Sequence, residues 1–136
     1  MKHAEIAAQK SQVTSGENPD FAGVWENQLE STMNLTVNGD MISGTYRSKV
    51  SGGGTPTPPK PLTGFKNGDL IAFVVNWELP YNSLTAWVGQ HTKRKDGAEV
   101  IKTLWQLTRN IEDRDEPTGL WHSILAGADE FTRKTK

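Results

Sequence analysis

The side chains able to do chemistry form a pattern of hydroxyls, amides and indoles, not of nucleophiles and bases. In the stretch Asn76–Gln90, NWELPYNSLTAWVGQ, Ser83, Thr85 and Trp87 alternate with Leu84, Ala86 and Val88. Successive side chains of a strand point to opposite faces, so one face carries two hydroxyls and an indole and the other only aliphatics. An ordinary half-buried strand packs its apolar face and solvates a charged one. Here the hydroxyl–indole face suits a small polar ligand, and the aliphatic face suits a second packing partner. The theme recurs. Asn27 and Ser31 share a face with Trp25 and Leu29, while Tyr46, Ser48 and Val50 lie opposite Thr45, Arg47 and Lys49. Trp77 and Trp105 complete an aromatic set. Burying that many hydroxyls unpaired costs on the order of 1–3 kcal/mol each. A cavity walled by aromatics with a few placed donors and acceptors avoids the cost and is the usual form of a small-molecule site. The expected ligand is uncharged or weakly charged, with an apolar body and a compact polar head.

Other chemistries lack their residues. His3, His91 and His122 have no metal-ligand spacing, and no G-x-S-x-G, H-E-x-x-H or paired-carboxylate motif occurs, so neither a metal site nor an enzyme is expected. The absence of cysteine removes disulfides, thiolate zinc sites and a cysteine nucleophile. A formal net charge of -1 argues against a nucleic-acid footprint. No apolar run reaches the roughly 18–20 residues of a membrane helix. The first 20 residues hold no apolar leader and are expected to be an unstructured tail, with a barrel over residues 21–132 and a short tail at 133–136.

The elements that must position these side chains read as about eight short strands. The period-two runs are Val24–Ser31, Met33–Val37, Met41–Val50, Leu62–Lys66, Leu70–Trp77, Leu84–Thr92, Glu99–Thr108 and Trp121–Phe131. Asn38-Gly39 and Asn67-Gly68 are hairpin signals, read as type I′ turns with positive φ at both central residues, and Asp96-Gly97 marks another tip. Residues 51–61, SGGGTPTPPKP, read as a loop on their glycines and prolines. Both faces of Leu70–Trp77 are largely apolar, which predicts cover on both sides. Local turns and no convincing helix predict an all-β, eight-stranded antiparallel up-and-down barrel, whose interior holds one small ligand.

The chain resembles the avidin/streptavidin family of biotin-binding proteins, in its cysteine-free bacterial type. The resemblance is carried by Gly23–Ser31 (GVWENQLES), Ser43–Tyr46 (SGTY), Asn82–Gln90 (NSLTAWVGQ), Thr103–Leu107 (TLWQL) and Trp121–Phe131, in order across about residues 21–132. It implies high-affinity, non-covalent biotin binding in the barrel lumen, without a cofactor. By the same resemblance, Asn27, Ser31 and Tyr46 match the donors to the ureido oxygen. Ser48 and Asp129 match the acceptors of the ureido N–H groups. Thr85 matches the hydroxyl near the ring sulfur, and Ser83 a carboxylate contact. Trp77, Trp87 and Trp105 match the aromatic box, with Leu29, Val50, Leu107 and Leu125 near it. Trp121 matches the Trp that a subunit lends to its neighbour's pocket. The loop contact to the carboxylate falls near Gly52 or Gly53 and must come through backbone N–H. The resemblance also implies an exported protein.

A lipocalin-like carrier and a sugar-binding barrel are the rival readings. The first prefers an apolar lumen, and the second binds glycans in place of biotin. The outward aliphatics Leu70/Ala72/Val74 and Leu84/Ala86/Val88 predict subunit interfaces. With Trp121 they predict a homotetramer built as a dimer of dimers, although the small Ala126 and Ala128 leave a dimer open. No nucleic-acid or membrane partner is expected.

Overall fold

The computed structural model describes residues 18–49, 57–110 and 124–134. Eight strands run β1 Gly23–Asn27, β2 Thr32–Asn38, β3 Met41–Arg47, β4 Lys60–Asn67, β5 Leu70–Asn76, β6 Ser83–Lys93, β7 Glu99–Arg109 and β8 Ile124–Arg133. Each pairs antiparallel with its neighbour in sequence, and β1 pairs with β8, so the sheet closes into an up-and-down barrel. Closure leaves no unpaired sheet edge.

Local chemistry sets the connections. β2 hands over to β3 where Asn38 pairs with Met41, and β4 to β5 where Asn67 pairs with Leu70. The tips are therefore Gly39-Asp40 and Gly68-Asp69. Only the glycines take positive φ, at 61° and 60°, so these are not the type I′ turns that the sequence suggests. The glycine comes first of the two central residues, the arrangement that suits a II′ turn. Arg94–Ala98 joins β6 to β7, closed by Arg94 N–H donating to Ala98 O at 2.9 Å.

Several strand limits differ from the period-two reading. β1 stops at Asn27, because the side chain of Asn27 captures the chain. Its Oδ1 accepts the backbone N–H groups of Leu29 (3.0 Å) and Ser31 (2.9 Å). Glu30 then adopts φ 65°, and the chain turns. Leu29 thus lies on a turn and is 54 % exposed, not on an inward strand face. β4 starts at Lys60, inside the segment read as a loop. Pro61 fits because it is outward-facing and solvated, opposite Thr45. β8 continues to Arg133, and Lys134 N–H still bonds Val24 O. Of the stretch Trp121–Phe131, residues 121–123 lie outside the described residues, as do residues 1–17.

Inward positions of successive strands align in register: Phe73, Trp87, Trp105 and Gly127 form one row, and Val75, Thr85, Leu107 and Leu125 the next. The core is built from Phe21, Trp25, Met33, Leu35, Ile42, Ile71, Phe73, Val75, Ile101 and Phe131, all nearly fully buried. Trp25 belongs to this packing. Its indole N–H donates to Phe21 O at 2.9 Å, and the Arg133 guanidinium lies 4.3 Å from its ring centroid. His91 stands edge-on to Trp25 and Phe21 near the far end of β6 from Ser83. One end of the barrel is therefore filled, and the polar inward side chains gather toward the other. Among the described residues nothing covers the outer face of β5: Leu70 and Val74 are exposed.

Candidate functional site

Three donors are built around Asn27. Because two backbone N–H groups occupy Oδ1, the amide orientation is fixed, and Nδ2 is left to face the lumen. There it donates to the Tyr46 hydroxyl at 3.2 Å. Ser31 is 3 % exposed, and its Oγ accepts Lys49 N–H at 3.1 Å, which leaves its own proton to donate. The Tyr46 phenol is pushed well above its ordinary value, first by burial and next by the charge of Asp129, against a smaller opposing hydrogen bond with Ser31. It stays protonated and can donate. An amide N–H and two hydroxyls from β1, the following turn and β3 thus converge, all on buried residues.

The acceptor is Asp129 on β8, 7 % exposed. Its Oδ1 accepts Gln28 Nε2 at 2.8 Å, and its Oδ2 accepts the Trp87 indole N–H at 2.8 Å. Each carboxylate oxygen carries a second lone pair, so the group is oriented by the protein and still able to accept. Thr103 holds the β8 backbone beside it, donating from Oγ1 to Asp129 O at 3.0 Å. Gln28 also accepts Glu130 N–H at 3.1 Å, so one amide ties the β1 turn to β8. Gln28 is itself exposed. The partner is 101 positions away, and no local signal announces it.

Aromatic rings form the wall. Trp87 is buried between Tyr46 (centroids 4.9 Å) and Phe73 (5.0 Å), both stacked, while Tyr46 meets Trp77 edge-on at 5.6 Å. Trp77 donates its indole N–H to Thr85 Oγ1 at 2.8 Å, which fixes ring and hydroxyl together. Trp77 and Trp105 are half-buried, as is Leu107. Trp105 lies against β8 where Gly127 has no side chain, since a Cβ there would come within 2.5 Å of the indole ring.

The structure brings Asn27, Ser31, Tyr46, Thr85, Trp87 and Asp129 together as buried side chains, with Trp77, Trp105 and Leu107 half-buried around them. Ser83 is half-buried at the start of β6, and its carbonyl accepts Trp77 N–H at 3.1 Å. Leu125 faces inward by register with Leu107 but is 50 % exposed at the rim, and Leu29 is likewise peripheral. Ser48 is half-buried; its N–H donates to Thr57 Oγ1 at 3.0 Å, and its carbonyl accepts Thr57 N–H at 2.9 Å. Those bonds tie the chain just after β3 to the chain leading into β4. Val50, Gly52, Gly53 and Trp121 lie outside the described residues. Phe73, Gln28, Thr57 and Lys60 were not singled out from sequence. Phe73 alternates with Ile71 and Val75, so the period-two signal for its inward place was there; the others take their positions from distant strands or from within a loop-like composition.

Comparison with known proteins follows the same outline. A family model described as the avidin family matches residues 15–134. Avidin of Gallus gallus is 31 % identical over 121 residues, spanning 83 % of this chain and 77 % of avidin. Among solved structures, a biotin-binding protein from chicken superposes with a TM-score of 0.76 at 25 % identity, over 87 % of this chain and 98 % of that one. Rhizavidin, solved in complex with biotin, superposes with a TM-score of 0.71 at 30 % identity, over 87 % and 98 % of the two chains.

Proposed function

We infer the function from the premise that this chain belongs to the avidin family: it is a binding protein, not an enzyme, and its ligand is biotin, held in the barrel. The observation that carries this reading is the meeting of the Asn27, Ser31 and Tyr46 donors with the Asp129 acceptor among Tyr46, Trp77, Trp87 and Trp105. A cyclic urea presents one carbonyl flanked by two N–H groups, the complement of three donors beside an acceptor. Three donors on one carbonyl draw charge onto its oxygen, and the dry, aromatic surroundings strengthen each contact. In this reading Ser48 and Asp129 take the N–H groups, Thr85 sits by the ring sulfur, and Ser83 with the backbone of Gly52 or Gly53 meets the carboxylate. Leu29, Val50, Leu107 and Leu125 line the valeryl chain. Saturable quenching of Trp fluorescence by biotin tests the reading. Its absence at micromolar biotin overturns it, and saturable binding of a fatty acid or glycan in its place favours the lipocalin-like or lectin-like alternative.

The finer proposal is a homotetramer in which Trp121 of each subunit closes a neighbour's pocket. Its support is the outer face of β5–β8, where Val74, Leu84, Val88 and Leu104 are exposed, Val74 pairs with Ala86, and Ala72, Val88, Leu104 and Ala128 form one row by register. A contiguous apolar surface of this kind usually marks an interface. Sedimentation of the chain at micromolar concentration should show four copies; a monomer removes the proposal, and a dimer confines it to one interface. Trp121→Lys should sharply lower biotin affinity, and unchanged affinity refutes the lent Trp.

A further inference from the structure

Lys60 is a cation in a place built for apolar groups. It opens β4 on the face shared with Leu62 and is 7 % exposed. In register it lies directly beside Tyr46 of β3. The Tyr46 phenol runs to the Asn27 cluster, whereas the Lys60 ammonium points to the β5–β6 turn, 3.7 Å from Glu78 Oε1 and 5.7 Å from the Tyr81 ring centroid. A buried ammonium is costly unless hydrogen-bonded and paired. The Glu78 distance lies beyond hydrogen-bonding range. Among the described residues Nζ therefore has an electrostatic partner but no close acceptor.

The partner is held in an unusual backbone. Glu78 takes φ 59°, a region that a non-glycine residue adopts only when its surroundings impose it. Three hydrogen bonds impose it: Glu78 N–H to Asn76 Oδ1 at 3.0 Å, and Tyr81 and Asn82 N–H to Glu78 O at 2.8 and 3.2 Å. The turn thus presents a half-exposed carboxylate to a buried lysine at the rim, on the side where Ser83 begins β6.

We propose that Lys60 is the anchor for the anionic end of the ligand, and that Glu78 is its stand-in counter-ion, displaced or shared when a ligand carboxylate arrives. The proposal rests on biotin as the ligand: the urea end occupies the Asn27–Asp129 cluster, and the acid end reaches the rim. Lys60 makes the pocket prefer a carboxylate over a neutral tail of the same shape.

The test compares biotin with its primary amide, which is neutral at the tail, by competition titration on the full chain. The wild-type chain should bind the acid about tenfold or more tighter than the amide, the size expected of a charge-assisted contact. In Lys60→Met the acid-to-amide ratio should fall to near one. In Glu78→Gln, which frees the lysine, the ratio should rise. The proposal is overturned by a wild-type ratio near one, by a ratio that survives in Lys60→Met, or by one that fails to rise in Glu78→Gln. The wild-type and Glu78→Gln arms decide if Lys60→Met does not fold. Tight binding of both ligands at equal affinity removes the anchor and leaves the biotin reading standing. Binding of neither overturns both.

Discussion

Replacing Asp129 by Asn separates what the carboxylate does for the ligand from what it does for the fold. Two donors reach the group, the Trp87 indole and the Gln28 amide, both at 2.8 Å. An Asn side chain accepts at one atom and donates at the other. Trp87 is buried, and among the described residues its N–H has no acceptor besides Asp129, so the single oxygen should turn to it. The new NH2 group then faces Gln28, which is exposed and can rotate toward water. The fold therefore loses one solvent-rescued hydrogen bond, about 1 kcal/mol. The ligand loses a charged acceptor for its N–H, about 1.5–3 kcal/mol, or roughly 10–100-fold in affinity. Denaturant unfolding of the free protein and competition titration with biotin give the two numbers separately. The Tyr46 phenol should also titrate at lower pH in the variant, because the Asp129 charge helps to hold it up. Unchanged affinity refutes the acceptor role. A stability loss larger than the binding loss would mean that Asp129 is chiefly a structural tie between the β1 turn and β8.

Other expectations rest on geometry away from the acceptor. Gly127→Ala places a Cβ within 2.5 Å of Trp105. It should cost about 1–3 kcal/mol through overpacking and shift the Trp emission together with biotin affinity; unaltered emission refutes the contact. The phenol of Tyr46 is raised above 10.0, so the protein should lose stability as the pH climbs past that value, and Tyr46→Phe should flatten the alkaline slope in denaturant titrations. Glu99 is held down at about 2, mainly by its hydrogen bond from Arg133 with help from His91. Its contribution is present above 4.5 and is lost as the pH falls toward 2. Arg133→Met should therefore raise the acid-unfolding midpoint, and by removing bonds to Glu99, Ala22 and Asp20 it should destabilise at neutral pH by about 1.5–3 kcal/mol.

The fold was legible where the signal was local. Asn38-Gly39 and Asn67-Gly68 located two hairpins, and alternation put Tyr46, Thr85 and Trp87 on inward faces. The same alternation, continued too far, carried β1 through Leu29 to Ser31. A period-two count cannot detect that the Asn27 side chain will accept two backbone N–H groups and end the strand. Nor can composition reveal that Lys60 and Pro61 belong to a strand, since proline at an outward position without a required donor looks the same as proline in a loop. The turn type was missed by one residue for a related reason: a glycine can supply positive φ at either central position, and the strand register decides which. Site partners such as Gln28 and Asp129 are separated by almost the whole barrel and meet only when it closes.

That seam has a kinetic meaning. β1 and β8 share three register pairs, Trp25–Arg133, Glu26–Thr132 and Asn27–Phe131, while the other ladders join neighbours in sequence. Hairpins can form early and independently, but this last ladder must wait for both chain ends to arrive. Asn27 and Asp129 sit on its two sides, so on the proposed reading an open sheet would possess neither a complete urea site nor a reason to retain ligand. On that reading ligand should bind the closed form alone and stabilise it by mass action, more at each rise in concentration above its dissociation constant. Opening of the seam and escape of the ligand should then be a single event, and hydrogen exchange at Trp25–Asn27 should slow in step with ligand residence.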